Sequence, residues 1–173
     1  MTADHRAFDL VVLGGWLGRV RRSDQRAERA VAAENALHGN TARYDLAALP
    51  TVTFTDPAVA SVGPTELELR GRGEQPLVSV LPMEQVPRAL AARDTRGFIK
   101  LLADPGTRRL RGAHVLAGEA GEMITEAALA IRHRLTIDDL TSTFHPYLTL
   151  SEGIRLAALA FDKEVAKLSC CAA

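Results

Sequence analysis

Apolar and polar positions alternate along this chain with two different periods, and the changes between them mark out its elements. The clearest stretch is Ala120, Met123, Ile124, Ala127, Ala128 and Ile131, which recur at helical spacing and form one continuous apolar face. Glu119 and Glu122 fall in its first turn and Arg132 and His133 in its last, as the helix dipole prefers. A second stripe, Ile154, Ala157, Ala158, Phe161, Val165 and Leu168, predicts a closing helix that starts after Thr149. Between them Thr136 is placed to cap a short helix over Ile137–Leu140. Upstream the period shortens. Thr51–Thr55, Leu77–Leu81, Gly97–Ala103 and Arg109–Ala117 read as strands, and Asp104-Pro105-Gly106 joins the last two as a hairpin turn. Pro64–Arg70 predicts a short helix with Pro64 in its first turn, and Ala27–His38 an alanine-rich helix ended by Gly39-Asn40.

Strands followed by helices predict an α+β fold: an antiparallel β-sheet with helices packed on one face. The expected organisation is a vestigial or poorly ordered segment at 1–26, a helix and linker at 27–50, and a compact domain at 51–173. Phe8-Asp-Leu-Val-Val-Leu-Gly-Gly15 resembles the opening strand and glycine turn of a dinucleotide-binding unit. Trp16 and Arg19, however, stand where the second and third glycines of the phosphate-cradling fingerprint belong. No working flavin site is expected there.

With 173 residues the chain has room for one substantial core. Its 21 basic and 21 acidic residues balance, which argues against a nucleic-acid partner. The apolar run at Leu10–Leu13 is too short to span a bilayer, so a soluble, cytoplasmic protein is expected, with no membrane partner. The two cysteines are adjacent, Cys170 and Cys171. Their α-carbons, about 3.8 Å apart, are too close for a relaxed disulfide. Paired thiols of this kind point to metal or redox chemistry, and as ligands they suit a soft metal such as Cu(I), whereas Zn(II) would want further ligands. A tail without a role is the plainer reading of the pair.

Several stretches resemble the dimerisation domain of the FAD- and nicotinamide-linked disulfide oxidoreductases. They are Thr53-Phe-Thr-Asp-Pro-Ala-Val-Ala-Ser-Val-Gly63, Arg96-Gly-Phe-Ile-Lys-Leu101, Gly112-Ala-His-Val115, Gly118-Glu-Ala-Gly-Glu122 and His145-Pro-Tyr-Leu-Thr-Leu-Ser-Glu152. Within that family, Pro146-Tyr-Leu-Thr149, Pro87-Arg-Ala-Leu90 and Leu168-Ser-Cys-Cys171 are similar to the branch that reduces mercuric ion. The resemblance implies NADPH and FAD as cofactors, Hg(II) as substrate and metal ligand of Cys170 and Cys171, and a homodimer in which this domain completes the partner's active site. It also implies a chain inactive by itself, because the family's redox C-x-x-x-x-C pair is absent. Flavin and nicotinamide domains would then come from another chain. A dithiol module acting alone on soft metals, or an inert truncated domain, remain the competing expectations.

The family's acid–base dyad sets a histidine five residues before a glutamate. Tyr147 holds that separation from Glu152, whereas His145 lies seven before it. Tyr147 and Glu152 are therefore the candidate catalytic residues. A phenol with a pKa near 10 is a poor base at neutral pH, but it can wall a metal path and offer a hydrogen bond to a thiolate. Two further roles fit the same residues. Tyr147 suits an interface aromatic, and Thr149-Leu-Ser-Glu152 matches a capping box. His114 and His133 read as structural.

Overall fold

The computed structural model describes residues 22–39, 41 and 48–163. The first helix, α1, spans Arg22–His38 and therefore begins ahead of the expected Ala27. Its first residues, 22–26, overlap the end of the segment expected to be poorly ordered. Gly39 closes it at a φ of 91°, its amide donating to Asn35 O at 3.1 Å. Residues 1–21, including Phe8–Gly15, Trp16 and Arg19, lie outside the described residues.

Five antiparallel strands form a sheet in the order β1-β2-β5-β4-β3. These are β1 at Thr51–Thr53, β2 at Ala58–Val62, β3 at Leu77–Pro82, β4 at Phe98–Ala103 and β5 at Leu110–Ala117. β1 stops short of the expected Thr55, because the Thr55 amide turns back to Thr53 O at 2.9 Å. β2 has no counterpart among the expected strands. In the β4–β5 hairpin the Asp104 carboxylate accepts from the amides of Gly106 and Thr107 at 3.1 and 2.7 Å. The left-handed residue is Arg108, at φ 56°, and not Gly106.

One face of the sheet carries the core. Ala60, Val62, Leu81, Ile99, Leu101, Ala113 and Val115 are all buried there. Two helices cover it: α4, Ala120–Arg132, across β5 and β2, and α6, Glu152–Leu159, across β3 and β4. The α4 stripe matches its sequence pattern, with Ala120, Met123, Ile124, Ala127 and Ala128 buried and Ile131 packed at the edge. α6 is shorter than its stripe suggested. It ends at Leu159, Phe161 packs against the core just beyond, and Val165 and Leu168 lie outside the described residues.

Helices do not lie on that face alone. The helix α2, Glu66–Gly71, sits across the opposite face. Strand alternation turns Lys100 and His114 away from the core face. Lys100 Nζ then meets Glu66 Oε2 at 2.9 Å, and His114 Nε2 meets Pro64 O at 3.2 Å. Thr65, rather than Pro64, begins this helix as its cap, exchanging hydrogen bonds with Glu68 in a capping box. A 3-10 turn at Met83–Gln85 and the short α3, Pro87–Ala92, link β3 to β4.

Candidate functional site

Tyr147 and Glu152 bracket the connection from α5, Ile137–Ser142, to α6, and both helices hold it firmly. α5 starts at Thr136, whose hydroxyl accepts from the Asp139 amide at 3.1 Å while Asp139 Oδ2 accepts from the Thr136 amide at 2.7 Å. α6 is seated by Ser79, a buried hydroxyl on β3 that donates to Ala157 O at 2.7 Å. Its second residue, Gly153, lies against Ile99 so closely that no side chain larger than hydrogen fits without a shift.

Glu152 does act on the backbone before the helix, one residue away from where the capping box placed it. Its Oε2 accepts from the Leu148 amide at 3.3 Å, while its own amide donates to Thr149 Oγ1 at 3.3 Å. Thr149 Oγ1 donates in turn to Pro146 O at 2.9 Å. Inside this set of contacts Leu148 adopts φ 61°, a left-handed conformation that costs a branched residue about 1–3 kcal/mol. Hydrogen bonds thus brace the backbone around Tyr147 on its C-terminal side.

What the loop presents is apolar. Phe144 is 100% exposed, Tyr147 61% and Leu148 40%. Exposed aromatic side chains on a braced backbone are unusual on a surface that meets only water. By contrast, the His145 ring is covered. Its Nε2 lies 2.7 Å from Glu126 Oε1 on α4, and its Nδ1 lies 3.0 Å from Thr143 O. Sequence reasoning passed over Glu126, since nothing in its local pattern sets it apart from other polar positions of α4.

Cys170 and Cys171 lie outside the described residues. Among the described residues no group of three or more histidines, cysteines or carboxylates is placed to hold a metal ion. Nor is any described helix long and apolar enough to cross a membrane. A surface cleft of about 960 Å³ opens beside the β4–β5 hairpin, with Arg72, Arg109, Arg111 and Arg134 among its lining residues. None of the expected site residues lines it.

Elsewhere, Arg96 joins two loops, donating to Asp94 at 2.8 Å and to Asp56 at 2.7 Å. The hydrogen bond from Arg96 holds the Asp94 carboxyl well below the usual carboxylate range, at about 2.

The family model of the pyridine nucleotide-disulphide oxidoreductase dimerisation domain matches residues 49–158. That stretch includes Tyr147 and Glu152 and stops before Cys170. A mercuric reductase of Streptomyces lividans is 53% identical over 146 residues, covering 84% of this chain and 31% of that protein. One from Lysinibacillus sphaericus is 47% identical over 145 residues, covering 84% and 27%. The chain therefore spans about a third or less of the length of the curated relatives it matches. Among solved structures, the Cu(II) complex of the HOCl-induced flavoprotein disulfide reductase RclA from Escherichia coli superposes with a TM-score of 0.71 at 27% identity. It covers 77% of this chain and 30% of that one. LpdA from Mycobacterium tuberculosis gives a TM-score of 0.67 at 28% identity, covering 73% and 28%.

Proposed function

Because this chain belongs to the pyridine nucleotide-disulphide oxidoreductase dimerisation-domain family, we propose that it serves as the dimerisation and Hg(II)-delivery domain of a mercuric-reductase-like flavoprotein. Two copies meet across a two-fold axis, and the Phe144–Leu148 projection of each completes the other's active site. The observation that carries this reading is the braced, solvent-facing Tyr147 loop, in a stretch whose relatives at about half identity are mercuric reductases.

In such an enzyme NADPH and FAD would supply the two electrons that take Hg(II) to the element. The described residues do not fit either cofactor. Their sheet is antiparallel throughout, with no glycine turn leading from a parallel strand into a phosphate-binding helix. No step through flavin or nicotinamide belongs to them, and the chain by itself is inactive on this proposal.

What its own residues contribute is capture and placement. Cys170 and Cys171 take Hg(II) between two thiolates, the soft ligands it favours, and pass it on one thiolate at a time. Tyr147 walls the path with its ring and offers its hydroxyl to a thiolate, while Glu152 holds the loop that carries it.

The test compares the 173-residue chain with a Cys170→Ala/Cys171→Ala variant. Both are titrated with Hg(II) and desalted against a competing monothiol, and both are weighed by analytical ultracentrifugation. We expect one Hg(II) retained per chain, lost in the variant, and a dimer at tens of micromolar in both. Equal retention in the two proteins removes the delivery role, and a strictly monomeric chain removes the dimerisation role.

A further inference from the structure

The covered His145 ring constrains where hydrogens can lie. Its side chain is only 5% exposed. A backbone carbonyl can only accept, so Nδ1 carries a hydrogen and donates to Thr143 O at 3.0 Å. That leaves Nε2 facing Glu126 Oε1 at 2.7 Å. With neither atom protonated, two lone pairs would oppose each other at hydrogen-bond distance. The contact is attractive only when a proton lies on the line between them, which makes it a charge-assisted bond, short and strong.

Glu126 belongs to α4, the helix seated over β5 and β2 at the middle of the fold. The bond therefore ties a loop to the most firmly packed helix. Two carboxylates from two different helices grip the segment on either side of Tyr147: Glu126 through His145 before it, and Glu152 through the Leu148 amide after it. Leu148 is kept in its left-handed conformation between these two grips. Without one of them the strained residue has less to hold it in that conformation.

We propose that Glu126 and His145 are positioning residues for the Tyr147 loop, joined by a single proton shared between Oε1 and Nε2 that aims the loop at the second copy of the chain. The importance of that aim rests on the function proposed above; the strut itself does not.

Three substitutions test it in the full chain, read by nuclear magnetic resonance. Glu126→Ala removes the strut. Glu126→Gln rebuilds it without the shared proton, because a carboxamide N–H can donate to a neutral Nε2 while Nδ1 still donates to Thr143 O. His145→Asn keeps the donor to Thr143 but cannot reach Glu126, and it replaces Glu126→Ala if that variant does not fold. Exchange of the Leu148 amide should run about tenfold faster in Glu126→Ala and in His145→Asn. In Glu126→Gln it should stay near the parent rate, and amides in the middle of α4 should be unchanged in all three. Long-range proton–nitrogen spectra should show hydrogen at both ring nitrogens of His145 in the parent and at Nδ1 alone in Glu126→Gln.

An unmoved Leu148 amide in Glu126→Ala or His145→Asn overturns the proposal. So does a Glu126→Gln chain that behaves like Glu126→Ala, or a parent ring that lacks hydrogen at either nitrogen. These readouts involve no mercury. Loss of the Hg(II) result with the exchange pattern intact sinks the function and spares the strut, and the reverse pattern does the opposite.

Discussion

Replacing Gly153 by alanine sets two effects of opposite sign against each other. At the second position of α6 an alanine gains helix propensity, worth at most about 1 kcal/mol and less so near a helix end. The new Cβ, however, would lie 2.6 Å from Ile99 Cδ1, 3.5 Å from Val86 Cγ2 and 3.6 Å from Met123 Cε. Ile99 and Val86 are fully buried and Met123 nearly so, so the end of Ile99 can retreat only within the core and not into solvent. Overfilling a closed site of this kind costs about 1–3 kcal/mol. The clash wins, and Gly153→Ala should destabilise the chain by about 1–2 kcal/mol. Urea unfolding followed by far-ultraviolet circular dichroism should show a lower midpoint at an unchanged slope. Ile99→Val isolates the cause, because it deletes the atom that clashes. Alone it should cost about 0.5–1.5 kcal/mol. Combined with Gly153→Ala it should cost less than the sum of the two, by at least about 0.5 kcal/mol. A Gly153→Ala chain as stable as the parent, or a strictly additive pair, would refute this account of how α6 is seated.

The pair that fastens α2 should make stability depend on acid. Burial pushes the Glu66 carboxyl up, but the hydrogen bond and charge of Lys100, together with those of Arg70, outweigh it and hold the group below its ordinary 4.5. A depressed folded value means that the stabilisation is complete above the unfolded value and is lost as pH falls through the folded one. Glu66→Gln should therefore lose roughly 1–3 kcal/mol at neutral pH, and the gap to the parent should close in acid; urea midpoints with a gap that stays constant down to pH 3 would contradict the pairing. Arg96→Gln should let Asp94 titrate near its ordinary 3.8 instead of about 2, a shift visible in carboxyl resonances during an acid titration. Thr136→Ala removes the cap of α5 and should cost about 1 kcal/mol, with amide exchange quickening in α5 before it does in α4.

How much of this was legible from the residues alone follows from how local each feature is. The α4 stripe could be read directly, because burial on a helix repeats every three to four residues along a single segment. The spacing of Tyr147 from Glu152 could be read for the same reason, since both belong to one short stretch of chain. β2 escaped notice: Ala58-Val-Ala-Ser-Val62 is short, follows directly on the Asp56-Pro57 break, and apart from its valines holds only small alanines and a serine. It becomes one because β1 and β5 lie on either side of it.

The sequence by itself determined the order of the elements apart from β2, the 3-10 turn and α3, together with the α+β class, the family likeness and the candidate pair Tyr147 and Glu152, all of them carried by neighbours along the chain. Only the tertiary structure decided that α2 crosses the opposite face through Glu66 and Lys100, and that Glu126 reaches His145. It also decided that Gly153 must stay small beside Ile99. In each case the partners come from separate elements, so their chemistry exists only after the sheet has brought those elements together.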